Sequence, residues 1–241
     1  MKRIVLLTCC LALFFCPFSG ASAAYLSRSN STTEALSFCS VRTLKTNQYT
    51  EDRPVIIFLP GISEYGNIGE VAKWIRNYGL YDHLEADIVG AAFWYEVARI
   101  TDWEKMAADI LEFLKGKYEA AAFPVLIDSV SYSGYGACFL AQLLTENGIP
   151  VKELNLADAC LPGYVTAEWI ANLASMGIQV NIWTSNEEGG MHEEARSIIS
   201  ELEGTENITT VILECRHAKA LYKAIHELGL HSDLPKESEN E

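Results

Sequence analysis

The chain has 241 residues, a formal net charge of −14 and 49% hydrophobic residues. That much apolar sequence can bury one full α/β core, whereas so acidic a surface repels nucleic acids and anionic lipids. We therefore expect neither a nucleic-acid partner nor a stable membrane anchor.

The first 23 residues have the pattern of an export signal. Lys2 and Arg3 precede an apolar stretch at residues 4–18, and the small residues ASA at 21–23 suit a signal peptidase. The apolar stretch is too short, and too closely followed by this cleavage site, for a membrane span. We predict cleavage after Ala23 and a secreted or periplasmic protein.

Composition divides the rest of the chain into three parts. Residues 24–53 are predicted as a lead-in, rich in Ser, Thr and Asn over 25–35 and with one candidate strand at 36–44. Residues 54–232 are predicted as a single α/β domain, and residues 233–241 as an acidic tail. The sequence contains no internal repeat.

Apolar runs typical of strands alternate with helical stretches in this domain. Residues 54–59 (PVIIFL) are an unbroken, largely β-branched run of the kind found in buried parallel strands. Helices are predicted over 68–78 and over 101–118, where Thr101 and Glu104 form a capping pattern. Further strands are predicted at 87–95, 125–130, 151–157, 179–184 and 209–214. The alternation predicts a mostly parallel central sheet with helices on both faces and a ligand site beyond the carboxyl ends of its strands.

Residues 124–144 (PVLIDSVSYSGYGACFLAQLL) combine an apolar run, a cluster of Ser and Gly, and an apolar stretch at helical spacing. A strand that turns sharply into a helix, with a serine at the bend, has the geometry of a nucleophile elbow. The bend exposes the serine hydroxyl and directs the first N–H groups of the helix at the substrate group that the hydroxyl attacks. The segment therefore predicts a serine hydrolase.

From Pro54 to Leu228 the chain resembles the α/β-hydrolase superfamily, especially its secreted esterases and peptidases related to polyester depolymerases. Residues 59–66 (LPGISEYG) are similar to the His-Gly-x-Gly-Glu-Arg-Gly turn of that branch, with Pro60 in place of the histidine. Residues 129–136 (SVSYSGYG) are similar to its G-x-S-x-G-G-Y-G elbow, with serines in place of two glycines. The resemblance implies an α/β-hydrolase fold and hydrolysis of carboxylic esters.

Two serines of the elbow are candidates for the nucleophile. If Ser131 attacks, the flanking positions are the small residues Ser129 and Ser133, and residues 125–130 form a strand of normal length. If Ser133 attacks, Tyr135 occupies a position where close backbone approach favours a small side chain. Ser131 is therefore the preferred nucleophile and Ser133 the alternative.

The general base and its acid must come from later in the chain. His217 follows the last predicted strand and is the candidate base, because a serine hydroxyl attacks readily only when a base takes its proton. Residues 182–188 (IWTSNEE) resemble the strand and G-x-x-D turn of the superfamily, which implies Glu188 as the acid, with Glu187 as a neighbour. Asp158, after the preceding strand, is a third candidate, although an aspartate there is structural in many relatives.

Backbone N–H groups are predicted to stabilise the oxyanion of the reaction. One belongs to Tyr132, the residue after the preferred nucleophile, and the other to Ile62, in the loop after the strand at 54–59.

The cysteines point to no particular disulfide or metal site. Export permits disulfides, but the spacing selects none of the three complete pairings among Cys39, Cys138, Cys160 and Cys215. No two of them have the close spacing of a zinc knuckle. We expect no metal and no cofactor.

The leading prediction is a secreted serine hydrolase that cleaves small-molecule or exposed carboxylic esters, and amides less readily, through an acyl-enzyme on Ser131. The segment after Asp158 is too short for a large lid, so we expect a small or absent lid and an open site. The alternative is a catalytically inactive α/β-hydrolase domain that acts as a binding or surface protein, because the motifs depart from the family pattern at several positions.

Overall fold

The described strands form one central sheet. The computed structural model describes residues 31–44, 54–61, 68–69, 71, 75, 81, 84, 86–93, 100–118, 123–159, 161, 165–188 and 190–234. Its strands are β1 (Ser31–Ala35), β2 (Cys39–Leu44), β3 (Val55–Leu59), β4 (Asp87–Phe93), β5 (Val125–Val130), β6 (Val151–Ala157), β7 (Gln179–Ser185) and β8 (Ile208–Leu213). They lie in the order β1-β2-β4-β3-β5-β6-β7-β8. The neighbouring strands from β4 through β3 and β5 to β8 are all parallel. At the other edge, β1 pairs antiparallel with β2, and β2 pairs antiparallel with β4. The mostly parallel sheet is confirmed.

Helices cover both faces of the sheet, as predicted. They are α1 (Ile100–Lys117), α2 (Gly134–Glu146), α3 (Ala167–Ser175), α4 (Gly190–Leu202) and α5 (Ala220–His226). Successive side chains of a strand point to opposite faces. In β3, Val55 and Ile57 accordingly pack in the core beneath α1 to α4, whereas Ile56 and Phe58 pack in the core beneath α5.

The N-terminal hairpin corrects the prediction of a lead-in at residues 31–35; residues 25–30 lie outside the described part of the chain. Ser31–Ala35 form β1, which pairs with β2, and β2 pairs with β4. An edge strand gains its order from backbone pairing and tolerates polar side chains, so a polar composition did not reveal it. The candidate strand at 36–44 is present over Cys39–Leu44.

Several predicted segments fall wholly or partly outside the described residues. These include the signal sequence and residues 235–241 of the acidic tail. The helix predicted at 68–78 is described only in part, and its described residues, 68, 69, 71 and 75, are helical. Asp233 and Leu234, at the start of the predicted tail, pack against the domain: Asp233 pairs with Lys152, and Leu234 is buried. No helix in the described part of the chain has the length and apolar character needed to cross a bilayer.

Candidate active site

The chain turns from strand to helix within three residues at the predicted elbow. β5 ends at Val130, a single 3₁₀ turn covers Ser131–Ser133, and α2 begins at Gly134. Ser131 has a φ of +58°, in the left-handed region that residues with a Cβ seldom adopt. A serine in this conformation between a strand and a helix is the local geometry of a nucleophile elbow.

The hydroxyl of Ser133 is engaged in the packing of the elbow. Ser133 is completely buried, and its Oγ lies 2.9 Å from the Leu59 carbonyl oxygen and 3.0 Å from that of Val130. It also lies 3.0 Å from the Ser129 hydroxyl and accepts the Val130 N–H at 3.2 Å. These contacts join the ends of β3 and β5, whereas Ser131 keeps 9% of its surface exposed.

Gly136 allows the elbow helix to lie directly against α1. A Cβ at this position would come within 2.2 Å of the Trp103 ring. The same Trp103 ring packs on Tyr132, with centroids 6.2 Å apart. The G-Y-G part of the elbow motif therefore contains a glycine that the contact between the two helices requires.

Asp158 is the carboxylate at the centre of the site. It follows β6 directly, is buried, and has a φ of +46°. Its Oδ1 accepts the Ser185 N–H at 2.5 Å, which fixes the carboxylate against the end of β7. Its Oδ2 lies 3.4 Å from Nδ1 of His217, and its Oδ1 lies 3.6 Å from Nδ1 of His192.

His217 lies in the turn that follows β8. Its side chain is 31% exposed, and its backbone N–H donates to Oε2 of Glu187 at 2.9 Å. The pKa of His217 is raised, chiefly by the Asp158 carboxylate and also by the charge of Glu187, although partial burial acts in the opposite direction. A histidine in this setting holds a positive charge more readily than a free one.

The structure brings Asp158, and not Glu188, to the imidazole. The Glu188 side chain is exposed, and Glu187 contacts the His217 backbone rather than its ring. Among the described residues, the carboxylate within ion-pair distance of His217 is that of Asp158. The resemblance to a strand and G-x-x-D turn favoured Glu188, whereas the Asp158 carboxylate, after β6, contacts the end of β7 and lies beside His217.

His192 is a member of this cluster that the sequence did not reveal. It lies near the start of α4, is buried, and packs edge-on against His217 with ring centroids 5.4 Å apart. Nothing in its local sequence distinguishes it from a helical surface histidine. Asp158, His192 and His217 offer donor atoms within 4.8 Å of one another, the spacing of a possible metal-ligand set.

The predicted oxyanion donors are described only in part. Tyr132 lies in the turn directly after Ser131, where a helix N-terminus directs its N–H groups outward. Ile62 lies outside the described residues.

The described cysteines are free thiols and poor nucleophiles. Burial raises the pKa of both Cys39 and Cys138 to about 12, and burial followed by the charge of Asp158 raises that of Cys215. A protonated thiol is weakly reactive. Cys160 lies outside the described residues.

The chain has the fold of the α/β-hydrolase superfamily. No protein-family model and no curated protein sequence matches it. Its structure is similar to an esterase from Pyrobaculum calidifontis, with a TM-score of 0.58 and 14% identity over 83% of this chain and 81% of that one. It is also similar to a thermostable esterase from Pseudomonas putida (TM-score 0.56, 12% identity, 83% and 77% covered). A third similar structure is a thermophilic carboxylesterase cloned from a metagenomic library (TM-score 0.57, 12% identity, 83% and 84% covered).

At these sequence identities the structural similarity establishes the shared fold only. The chemistry of this protein has to be inferred from the residues of its own site. The narrower relation to polyester depolymerases stays a prediction.

Proposed function

We propose that this protein hydrolyses carboxylic esters through an acyl-enzyme on Ser131, with His217 as the general base and Asp158 as the acid. The observation that carries the proposal is the buried Asp158 carboxylate, 3.4 Å from Nδ1 of His217. This pair lies at the carboxyl ends of the strands, the edge at which β5 ends in the left-handed Ser131. Asp158 replaces Glu188 as the acid in the proposed triad.

Each residue of the triad has one task in the proposed reaction. Asp158 faces Nδ1 of His217, so the other ring nitrogen, Nε2, serves Ser131. Nε2 takes the hydroxyl proton as Oγ attacks the ester carbonyl carbon, and the N–H groups of Tyr132 and Ile62 stabilise the oxyanion.

His217 then gives its proton to the leaving alkoxide as the C–O bond breaks. Water hydrolyses the acyl-enzyme by the same route, with His217 again as the base, and releases the acid and free Ser131.

The backbone of β7 keeps the acid in position. The Ser185 N–H holds one oxygen of Asp158, which leaves the other directed at the imidazole. A buried carboxylate held in this way can orient the ring and stabilise its positive charge without first rearranging. The raised pKa of His217 is consistent with that task.

The choice of esters as substrates is supported by the similar solved structures, which carry the names esterase and carboxylesterase. Residues 158–166 join β6 to α3, a connection too short for a separate lid domain. An open site suits small or surface-exposed esters, and we regard amides as poorer substrates because an amine is a worse leaving group.

Labelling with a fluorophosphonate probe, followed by mapping of the modified peptide, tests the nucleophile. We expect the label on Ser131 and its loss in Ser131→Ala, together with a loss of several orders of magnitude in kcat for p-nitrophenyl butyrate. Ser133→Ala is the matched control: it should keep the label on Ser131 and lose some stability, because its hydroxyl is buried among hydrogen-bond partners. A label on Ser133 would refute the assignment, and no label on either serine would favour the inactive alternative.

A further inference from the structure

Asp158, His192 and His217 bring a carboxylate and two imidazoles together from three separate segments. One donor atom from each residue lies within 4.8 Å of the other two. We propose that these residues form a zinc-binding site, and that zinc bound there reversibly inhibits the enzyme.

The distances between the donor atoms suit a tetrahedral ion. Zinc bonds of about 2.0–2.2 Å to nitrogen and oxygen place neighbouring ligands roughly 3.3–3.5 Å apart. Nδ1 of His217 lies 3.4 Å from Oδ2 of Asp158, and Nδ1 of His192 lies 3.6 Å from Oδ1. The two distances run to different oxygens of Asp158, so one ion would be bound by both carboxylate oxygens, or one imidazole would move toward a shared oxygen.

Two of the donor atoms lack other partners. Oδ2 of Asp158 and Nδ1 of His217 are both buried, and within the described part of the chain each has only the other nearby, at 3.4 Å and without the geometry of a hydrogen bond. Buried polar atoms are normally paired, and an unpaired group often indicates an ion or ligand that it binds. A metal ion between these atoms would satisfy both.

The donor set selects for zinc and similar transition metals. Calcium and magnesium prefer oxygen ligands, whereas two imidazoles and one carboxylate are a common zinc set. Asp158 supplies a negative charge in a buried place, and Glu187 adds another where it holds the backbone of His217. The His217 side chain is 31% exposed, so the site lies near solvent, and water would supply the fourth ligand.

Zinc at this position would occupy the atoms that the proposed triad uses. It would separate Nδ1 of His217 from Oδ2 of Asp158, so the acid could no longer orient the base. The inhibition rests on the proposed function, whereas the binding of zinc does not. A chelator should restore activity because no covalent bond to the protein changes.

Isothermal titration calorimetry with zinc chloride alone, on the purified protein after treatment with EDTA, tests the site. We expect about one tight site per chain, weakened at least about tenfold in His192→Gln and in His217→Gln. The partly exposed His217 provides a second variant in case the buried His192 does not tolerate change, and circular dichroism checks that each variant folds. His226→Gln, which changes an exposed histidine of α5, is the matched control and should bind zinc as the unmodified protein does.

A parallel assay follows the hydrolysis of p-nitrophenyl butyrate at increasing zinc, with each rate taken relative to that variant's own zinc-free rate. We expect the unmodified protein and His226→Gln to be inhibited alike and restored by EDTA, and His192→Gln to need at least about tenfold more zinc. The absence of binding, or equal binding by His192→Gln and His217→Gln and the unmodified protein, would overturn the site. Binding that depends on these histidines in a protein that cleaves no ester would instead overturn the proposed function and leave the site in place.

Discussion

Ser131 and Asp158 share a backbone feature that is uncommon for residues with a side chain. Their φ angles of +58° and +46° lie in the left-handed region, and each residue directly follows a buried parallel strand. Such conformations cost about 1–3 kcal/mol each and persist where the surrounding structure holds them. Here the strain coincides with the proposed nucleophile and the proposed acid.

Replacing Asp158 by Asn should impair catalysis much more than substrate binding. The amide keeps the shape of the side chain but cannot stabilise a charged imidazole or select its tautomer. We expect kcat for p-nitrophenyl butyrate to fall about 10²–10⁴-fold with little change in KM, by analogy with other triad acids. Steady-state kinetics on the purified variant measure both.

Glu188→Gln is the matched control for Asp158→Asn, since it makes the same chemical change on an exposed side chain. It should leave kcat nearly unchanged. Should Glu188→Gln produce the large loss and Asp158→Asn spare the activity, the acid would lie after β7 and the proposed triad would be wrong.

The contact between Gly136 and Trp103 predicts that adding a single methyl group at position 136 destabilises the protein. In Gly136→Ala the new methyl group would overlap the indole ring, so α2 must move away from α1. Overpacking of this kind typically costs about 1–3 kcal/mol. Urea denaturation should show that decrease in the free energy of unfolding.

Gly116→Ala makes the same substitution near the end of α1, where nothing lies within 4 Å of the added carbon. Because alanine favours a helix over glycine, this variant should gain about 0.5–1 kcal/mol. Equal effects of the two substitutions would show that the clash with Trp103 is relieved without cost.

A buried polar network joins the segment after α5 to β5, on the face opposite α1. Asp128 of β5 accepts the Tyr81 hydroxyl at 2.6 Å and the Asn155 side-chain N–H at 2.8 Å. Nε2 of the fully buried His231 lies 2.9 Å from the same carboxylate, and Nδ1 lies 3.6 Å from Glu153. Burial disfavours the charge on His231, but the carboxylates of Asp128, Glu153 and Asp233 together outweigh it and raise the pKa of the imidazole. The pKa of Asp128 is lowered, because the charge of His231 and three hydrogen bonds outweigh the effect of burial.

These shifts predict how the network stabilises the fold at different pH. The contribution of His231 is complete below its ordinary pKa of 6.5 and is lost as the pH rises through its raised pKa. The contribution of Asp128 is present above its ordinary pKa of 3.8 and is lost as the pH falls through its lowered pKa. The pair should therefore stabilise the protein most between about pH 4 and 6.5.

His231→Ala tests this network by leaving Asp128 buried without its charged partner. We expect a loss of about 3–5 kcal/mol in urea denaturation near pH 6, and a smaller loss at higher pH as the unmodified protein gives up its proton. His226→Ala, on the exposed side of α5, should cause a small change that varies little with pH. A loss in His231→Ala that is the same at every pH would mean that the imidazole is neutral and only packs.

At the scale of the whole molecule, the formal charge of −14 disfavours binding to anionic surfaces. We propose that it is exported and that its signal is removed without lipidation. Mass spectrometry of the protein from its native host should give an N-terminus near Ala24 or Tyr25. A lipid-modified cysteine at Cys9, Cys10 or Cys16 would contradict this.

The strands and helices could be predicted largely because they depend on local patterns. The bounds of β5 (VLIDSV) and β6 (VKELNLA) agree with those predicted, because apolar residues mark each strand despite the polar residues within it. The cluster of small residues after β5 is also a local pattern, and it located the elbow. The polar strand β1 escaped notice because it is recognised by its backbone pairing with β2 and not by a local apolar pattern.

The surroundings of His217 were decided by tertiary structure alone. Asp158 and Glu188 both follow strands and carry the same functional group, so the sequence could only rank them by resemblance. Their distances to the imidazole depend on the parallel pairing of β6, β7 and β8 and on the left-handed turn at Asp158. His192 and His231 were overlooked for the same reason: each lies beside a carboxylate that is distant in the sequence, a contact that no local pattern predicts.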